Sequence, residues 1–288
     1  MKAIARIFGP WLFFPLVFCW TWSFWIAAAV SGTSVGTGAG RGLLILGLLG
    51  PAVGGMSFTR LTVSRECRRD YWWRIVDPKR IRARWYLVIC FFAPALIGVA
   101  LLADIGLGEK LALEPIENMV GSLLSSPLAI GSFALGTLVY GPLPEELGWR
   151  GYALGRLQER YNALSSSLIL GTIWALWHLP LFYVRGTTHY SHGAWSAWWW
   201  LFLAQTIAVA VIFTWIFNNT RRSTLGAILF HLVVNAAYVV AGLTPRANAC
   251  AALLWFIAAA AVVAYWGADT LTLGAVDRSG RRTRPKDE

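Results

Sequence analysis

Apolar runs, most of them long enough to cross a lipid bilayer, alternate along this chain with short polar breaks. In order they cover roughly residues 10–31, 42–58, 85–106, 124–142, 163–184, 194–217, 223–243 and 247–267. A membrane helix needs about 20 predominantly apolar residues. The second run is the shortest, and its Gly47, Gly50, Pro51, Gly54 and Gly55 suit close helix packing in lipid. The pattern predicts an all-α polytopic membrane protein with about eight transmembrane helices. A single membrane domain is expected over 1–267, followed by a polar, basic tail at 268–288 that reads as disordered. The first run follows Lys2 and Arg6, but it is long and no small-residue cleavage site closes it, so it reads as a retained span.

Composition agrees with that pattern. The 288 residues are 57% hydrophobic and only 14% charged, too little charge for the surface of a soluble chain this long. The 17 tryptophans fit aromatic belts at two membrane interfaces. Three of the four cysteines (Cys19, Cys90 and Cys250) fall in apolar runs, the fourth is Cys67, and no Cys-x-x-Cys pair is present. They imply neither a disulfide framework nor a thiolate metal site.

The charge of +11 sets an orientation. With eight spans, only Arg41, Lys110, Arg185 and Arg246 fall on one side, and the other 21 of the 25 cations fall on the opposite side. Nine of these lie between Arg60 and Arg84, around Tyr71, Trp72 and Trp73. Positive-inside asymmetry therefore places both termini in the cytoplasm. It also accounts for the net charge without nucleic acid. The 59–84 segment reads as an interfacial helix on anionic lipid. The segment 107–123, with Glu109, Glu114 and Glu117, reads as a solvated external loop. No internal repeat is evident.

Few polar groups interrupt the apolar runs. The fourth run ends in Gly141-Pro142-Leu143-Pro144-Glu145-Glu146-Leu147-Gly148-Trp149-Arg150. The prolines and glycine break a helix, and a new segment can start near Glu145, where the helix dipole favours carboxylates. Glu146 and Arg150 are i, i+4 neighbours, whereas Glu145 points about 100° away and is free to face a cavity. In the fifth run Trp174 precedes His178 by one turn, and Pro180 follows. In the seventh, His231 and Asn235 share one helix face. Taken singly, these are also readable as an architectural ion pair, a core histidine and a pair of interhelical hydrogen bonds. Taken together, two Glu, two His and one Asn on three helices match a glutamate-activated water with histidine and amide partners. One tension remains: Glu145 lies near the cytoplasmic end of its span, while His178 lies well along an outward-going one. His189 and His192 have no carboxylate nearby and read as plain loop residues. Asn218-Asn219-Thr220 matches a glycosylation sequon but falls on the cytoplasmic side.

Glu145-Glu146-x-x-x-Arg150, Trp174-x-x-x-His178 and His231-x-x-x-Asn235 resemble the three motifs of the CAAX protease and bacteriocin-processing (Abi) family, which includes the type II CAAX prenyl endopeptidases. The resemblance spans about 125–240, a stretch then expected to be the catalytic core. It implies a helical intramembrane endopeptidase of a bacterial cell membrane, acting near the cytoplasmic face on a peptide or membrane-anchored protein. By resemblance Glu145 activates the attacking water with help from His178, His231 and Asn235 stabilise the oxyanion, and Glu146 and Arg150 organise the site. No cofactor is required in this reading. In the alternative metalloprotease reading, Glu145, His178 and His231 hold zinc with Glu146 as base. The chain departs from the family at Trp174, where phenylalanine is usual, and a bulkier wall would reshape the cavity. Two other readings stand beside the enzyme: a non-enzymatic immunity or scaffold protein that retains the polar site, and a proton-coupled transporter.

Overall fold

The computed structural model describes residues 2–108 and 113–273, with side chains described for 10–108 and 116–273. Every regular element among the described residues is helical. Seven helical runs are long and apolar enough to cross a membrane: Pro10–Val30, Gly38–Thr62, Ala83–Gly106, Ala163–Tyr183, Ala197–Asn219, Thr224–Ala241 and Pro245–Trp266. The bent pair Ile116–Leu124 and Pro127–Leu157, which turns through 114°, makes an eighth when its two helices are counted as one span. The chain is thus an integral, multi-pass helical protein, and the observed runs follow the expected ones closely.

We number the helices α1 Lys2–Val30, α2 Gly38–Leu48, α3 Gly50–Thr62, α4 Arg65–Val76, α5 Ala83–Gly106, α6 Leu113–Leu124 and α7 Pro127–Val139. There follow α8 Pro142–Gly148, α9 Leu154–Leu157, α10 Ala163–Trp177, α11 Thr188–His192, α12 Ala197–Asn219, α13 Thr224–Ala241 and α14 Pro245–Trp266. Side-chain caps mark many of the starts: Thr37, Ser64, Ser126, Asn162, Ser196, Ser223 and Thr244 each accept a hydrogen bond from a first-turn amide.

Three sequence expectations are corrected. The fourth run does not end at 142. Helix resumes after Gly141 and continues through α8, a π-helical turn at Trp149–Ala153 and α9 to Leu157. The proline pair supplies the first turn of α8, where a missing amide costs nothing. Second, the expected external loop 107–123 contains α6, whose Ile116, Met119, Val120 and Leu123 recur at helical spacing. Glu109 and the side chain of Glu114 lie outside the described residues. Third, the expected disordered tail begins with an anchored stretch. The carbonyls of Ala268 and Asp269 accept from the amides of Leu164 and Ala163, and Leu271 is fully buried. Residues 274–288 lie outside the description.

Contacts define two opposite faces. On one, Arg80 donates to the Arg221 carbonyl (3.0 Å), and Asn219 donates to the Leu271 carbonyl (2.7 Å). This face gathers 63–82, 158–162, 220–223 and 267–273, and it carries most of the basic residues among those described. On the other, the Val35 amide donates to the Arg185 carbonyl (3.0 Å), and Thr244 and Arg246 bond Asp104. The segment 59–84 holds a helix, α4, as the interfacial-helix reading expects. Tyr71 donates to the Leu147 carbonyl and Arg74 to the Gly151 carbonyl, both at 3.0 Å, which seats α4 beneath α8. Burial, with Arg222 nearby, brings the Arg74 guanidinium down to about 10, still charged at neutral pH.

Candidate active site

The extended α7–α9 path removes the depth mismatch between the two runs. Glu145 lies twelve residues before Leu157, and His178 fifteen after Ala163. At 1.5 Å per residue these are about 18 and about 22 Å along their helices. The two side chains can therefore meet.

Behind the site lies an ion pair. Arg150 donates to both Glu146 oxygens, at 2.8 and 3.1 Å, and neither residue has any exposed surface. The guanidinium is held between aromatic faces, 4.6 Å from the Trp174 ring centroid and 4.0 Å from that of Phe213. Such a desolvated stack is favourable by about 2 kcal/mol. Glu146 Oε1 also accepts from His231 Nδ1 at 2.9 Å. Because a carboxylate only accepts, His231 Nδ1 is the protonated nitrogen, and its Nε2 is left for other partners.

In front of this pair Glu145 faces a cavity of about 840 Å³, lined also by Trp174, His178, His231 and Asn235. Glu145 Oε2 accepts from Trp174 Nε1 at 2.6 Å. A phenylalanine at 174 has no such donor, so this tryptophan holds the carboxylate as well as filling a wall. His178 Nδ1 lies 2.7 Å from the Trp174 carbonyl. That carbonyl can only accept, so in the neutral ring Nε2 keeps the lone pair. Gly141 lets α13 and the start of α8 close on each other. A methyl group there would lie 3.2 Å from Asn235 Nδ2 and 3.5 Å from Glu145 Oε1.

All six sequence-selected residues thus sit in one unit. Glu145, His178, His231 and Asn235 face the cavity, and Glu146 and Arg150 are buried behind it. A seventh group was read as plain loop. The His189 ring stacks on His178, with centroids 5.7 Å apart and planes within 18°, and edges against Phe182, Trp198 and Phe202. It lines the cavity, and its Nε2 is buried without a hydrogen-bond partner. Burial first, and then neighbouring His178 and His192, hold this imidazole well below the usual histidine range, so it is neutral near pH 7.

The zinc reading would use Glu145, His178 and His231 as ligands. One nitrogen of each histidine and one oxygen of Glu145 are engaged, which leaves His178 Nε2, His231 Nε2 and the other Glu145 oxygen as free donor atoms. Among the described residues no three His, Cys, Asp or Glu side chains are grouped closely enough to hold a metal ion. The residues as arranged do not fit that set, and no step below passes through a metal.

Comparison with known proteins agrees with the motifs. Residues 127–237 match the family described as type II CAAX prenyl endopeptidase Rce1-like. Over 260 residues the chain is 28% identical to CAAX prenyl protease 2 of Methanococcus maripaludis, covering 90% of this chain and 94% of that protein. The resemblance to the CAAX protease family therefore extends beyond the three motifs to nearly the whole chain. It supports a membrane protease that acts on peptide or protein substrates.

Proposed function

We propose that this chain is an intramembrane endopeptidase in which Glu145 activates water for attack on a peptide carbonyl. The observation that carries the reading is the shared cavity. Glu145, His178, His231 and Asn235 converge on it from three helical runs, while Glu146 and Arg150 lie buried behind. In this mechanism Glu145 takes a proton from the water, and the hydroxide oxygen bonds to the scissile carbonyl carbon. The lone pair on His178 Nε2 orients the same water. The oxyanion is met by Asn235 Nδ2 and His231 Nε2. Since His231 already donates through Nδ1, it donates through Nε2 only as the imidazolium, with Glu146 as the adjacent counter-charge. Glu145 then passes its proton to the departing nitrogen, the C–N bond breaks, and carboxylic acid and amine products result.

The basic α4 belongs to the same reading. Trp72 and Trp73 are exposed beside its arginines, which suits contact with anionic headgroups.

The test is hydrolysis of a prenylated CAAX-type peptide and of an unprenylated apolar peptide by purified wild type and Glu145→Gln. Loss of at least about a thousandfold in the variant, with an unchanged melting temperature, is expected for a general base acting in a dry site. Activity that survives the substitution overturns the role of Glu145 and favours a scaffold or immunity protein. The proposal requires no metal. Activity should persist after chelation with metal content verified, whereas loss restored by zinc would overturn that part.

A further inference from the structure

We infer that a notch between α3, α4, α9 and the turn after α12 binds a phosphate group, and that its occupant is the headgroup phosphate of an anionic phospholipid. The notch shares no lining residue with the central cavity. The inference therefore goes beyond the proteolytic reading and does not depend on it.

The space is about 120 Å³. That is the share of about four waters at roughly 30 Å³ each, enough for a phosphate group and too little for a peptide. Its inner wall is buried and includes Thr59, Tyr71, Arg74, Gly151 and Gly155. Its rim is exposed and includes Asp70, Glu159 and Arg222. Three guanidiniums, those of Arg74, Arg156 and Arg222, line it together.

Carboxylates do not balance these cations. Asp70 is shared by Arg74 and Arg80, and Glu159 pairs with Arg156 at 2.7 Å. Among the described residues no carboxylate pairs with Arg222, whose guanidinium lies 5.9 Å from the Phe217 ring centroid. Four guanidiniums thus have two carboxylates between them. Arg74 is the buried member. One of its terminal nitrogens donates to the Gly151 carbonyl, while its Nε, 3.1 Å from Asp70 Oδ2, is not aligned for a hydrogen bond. Burial first, and Arg222 second, hold this guanidinium below its usual range. An anion between Arg74 and Arg222 replaces their repulsion with two attractions. A phosphate group suits the place because its oxygens can accept from several guanidinium forks at once.

The backbone that carries Arg222 is shaped for this placement. Arg221 and Arg222 have φ of 51° and 58°, a left-handed conformation that strains any side chain beyond Cα. Glycine is the usual residue at such a helix end. The Arg222 amide donates to the Phe217 carbonyl at 2.9 Å, and the Arg221 carbonyl accepts from Arg80 at 3.0 Å, so the turn is fixed against the α4 side. Gly155 makes room opposite: a methyl group there would lie 2.6 Å from Arg222 Nη2. Strain held at a cation without a carboxylate partner points to a ligand. Trp72 and Trp73, exposed on α4, suit the headgroup level of a bilayer and favour a lipid phosphate over a free one. Through the bonds of Tyr71 to Leu147 and Arg74 to Gly151, an occupant braces the backbone next to Glu146 and Arg150.

The experiment titrates the full chain, in neutral detergent, with dioctanoyl phosphatidylglycerol, dioctanoyl phosphatidylcholine and inorganic phosphate. Native mass spectrometry counts retained lipid, and the melting temperature is followed in parallel. Wild type should hold phosphatidylglycerol at least about tenfold more tightly than phosphatidylcholine, and Arg222→Gln should lose at least about tenfold of that affinity. Arg69→Gln, on an exposed arginine of α4 outside the notch, should bind unchanged. Without lipid, Arg222→Gln should melt no lower than wild type, because it forfeits no ion pair and removes a like charge from Arg74. Glu145→Gln should bind the lipid as wild type does, whatever becomes of hydrolysis. Equal phosphatidylglycerol affinity in wild type and Arg222→Gln overturns the site, and so does an equal loss in Arg69→Gln. A lower lipid-free melting temperature for Arg222→Gln overturns the claim that this arginine waits for a ligand. Arg222-dependent binding of inorganic phosphate with no retention of phosphatidylglycerol supports the phosphate site and overturns the lipid as its source.

Discussion

Trp174 shows how much one side chain does at this site. Its indole donates to Glu145, its carbonyl fixes the tautomer of His178, and its face covers Arg150. Only the first task requires the indole nitrogen. Trp174→Phe should therefore keep the fold, the backbone bond to His178 and most of the stacking, while losing one hydrogen bond to a charged group. Such bonds contribute about 1.5–3 kcal/mol to stability, so the melting temperature should fall by several degrees, and kcat/KM measured well below it should fall at least about tenfold as the carboxylate loses its fixed position. His189 makes a different case. Its ring packs on His178 and its Nε2 has no hydrogen-bond partner, so its expected task is to hold that ring in place. His189→Ala should lower kcat about three- to tenfold, in line with the 0.5–1.5 kcal/mol typical of aromatic pairs, and His189→Phe should recover most of the loss. Failure of phenylalanine to rescue would assign the imidazole nitrogen a direct part instead. The sequence made Glu145, His178, His231 and Asn235 legible because intramembrane polar groups are few. It hid His189, because a histidine in a polar loop is unremarkable until the loop folds back over the cavity.

Between elements, α3 and α8 approach closely where two glycines let backbones touch. A methyl group at Gly148 would lie 2.4 Å from the Pro51 carbonyl oxygen, and one at Gly55 would lie 2.5 Å from that of Leu147. Neither obstacle is a flexible side-chain end, so the helices would have to separate, moving Glu145 and Glu146 with them. Gly148→Ala should cost about 1–3 kcal/mol of stability, read as a lower melting temperature in detergent, and should cost activity as well. Gly136 is the control. It lies in α7 with open space where its Cβ would be, so Gly136→Ala should be neutral or stabilising by about 0.5–1 kcal/mol. The small residues of the second run were legible as packing residues, but their partner was not. Hydropathy stops the fourth run at Pro142 because the carboxylates that follow are polar. Their partners, Arg150 one turn on and His231 from α13, let helix continue through them to Leu157. The helix in 107–123 was missed for a related reason: its acidic residues dominated the reading, and its apolar spacing was overlooked.

Across the whole molecule, the even number of runs brings both ends of the described chain to the basic face, and the C-terminal segment uses that placement. Residues 268–271 close the gap between the start of α10 and the end of α12. Ala268 and Asp269 satisfy two amides left free at the α10 N-terminus, and Asn218 and Asn219 donate to the carbonyls of Thr270 and Leu271. The Asn218-Asn219 pair, which reads in the sequence as an unused sequon, is thus a docking device for a segment some 50 residues away. Composition could not show this, since 268–273 is six residues long, holds no basic residue and carries no helical pattern. Leu271 is the one apolar anchor, with no exposed surface. Removing the segment forfeits about 1.5–3 kcal/mol of Leu271 burial, takes one hydrogen bond from each of the half-buried Asn218 and Asn219 side chains, and leaves two helix-end N–H groups without these partners. A chain ending at Gly267 should therefore melt several degrees lower than the full chain. Leu271→Asp should reproduce most of that loss, because a lone carboxylate cannot occupy the same site. The active-site residues lie on other elements and should keep their arrangement at low temperature. Hydrolysis at 20 °C should thus be retained while the half-life at 45 °C shortens. Equal melting temperatures for the truncated and full chains would show that the contacts made by 268–271 carry no stability.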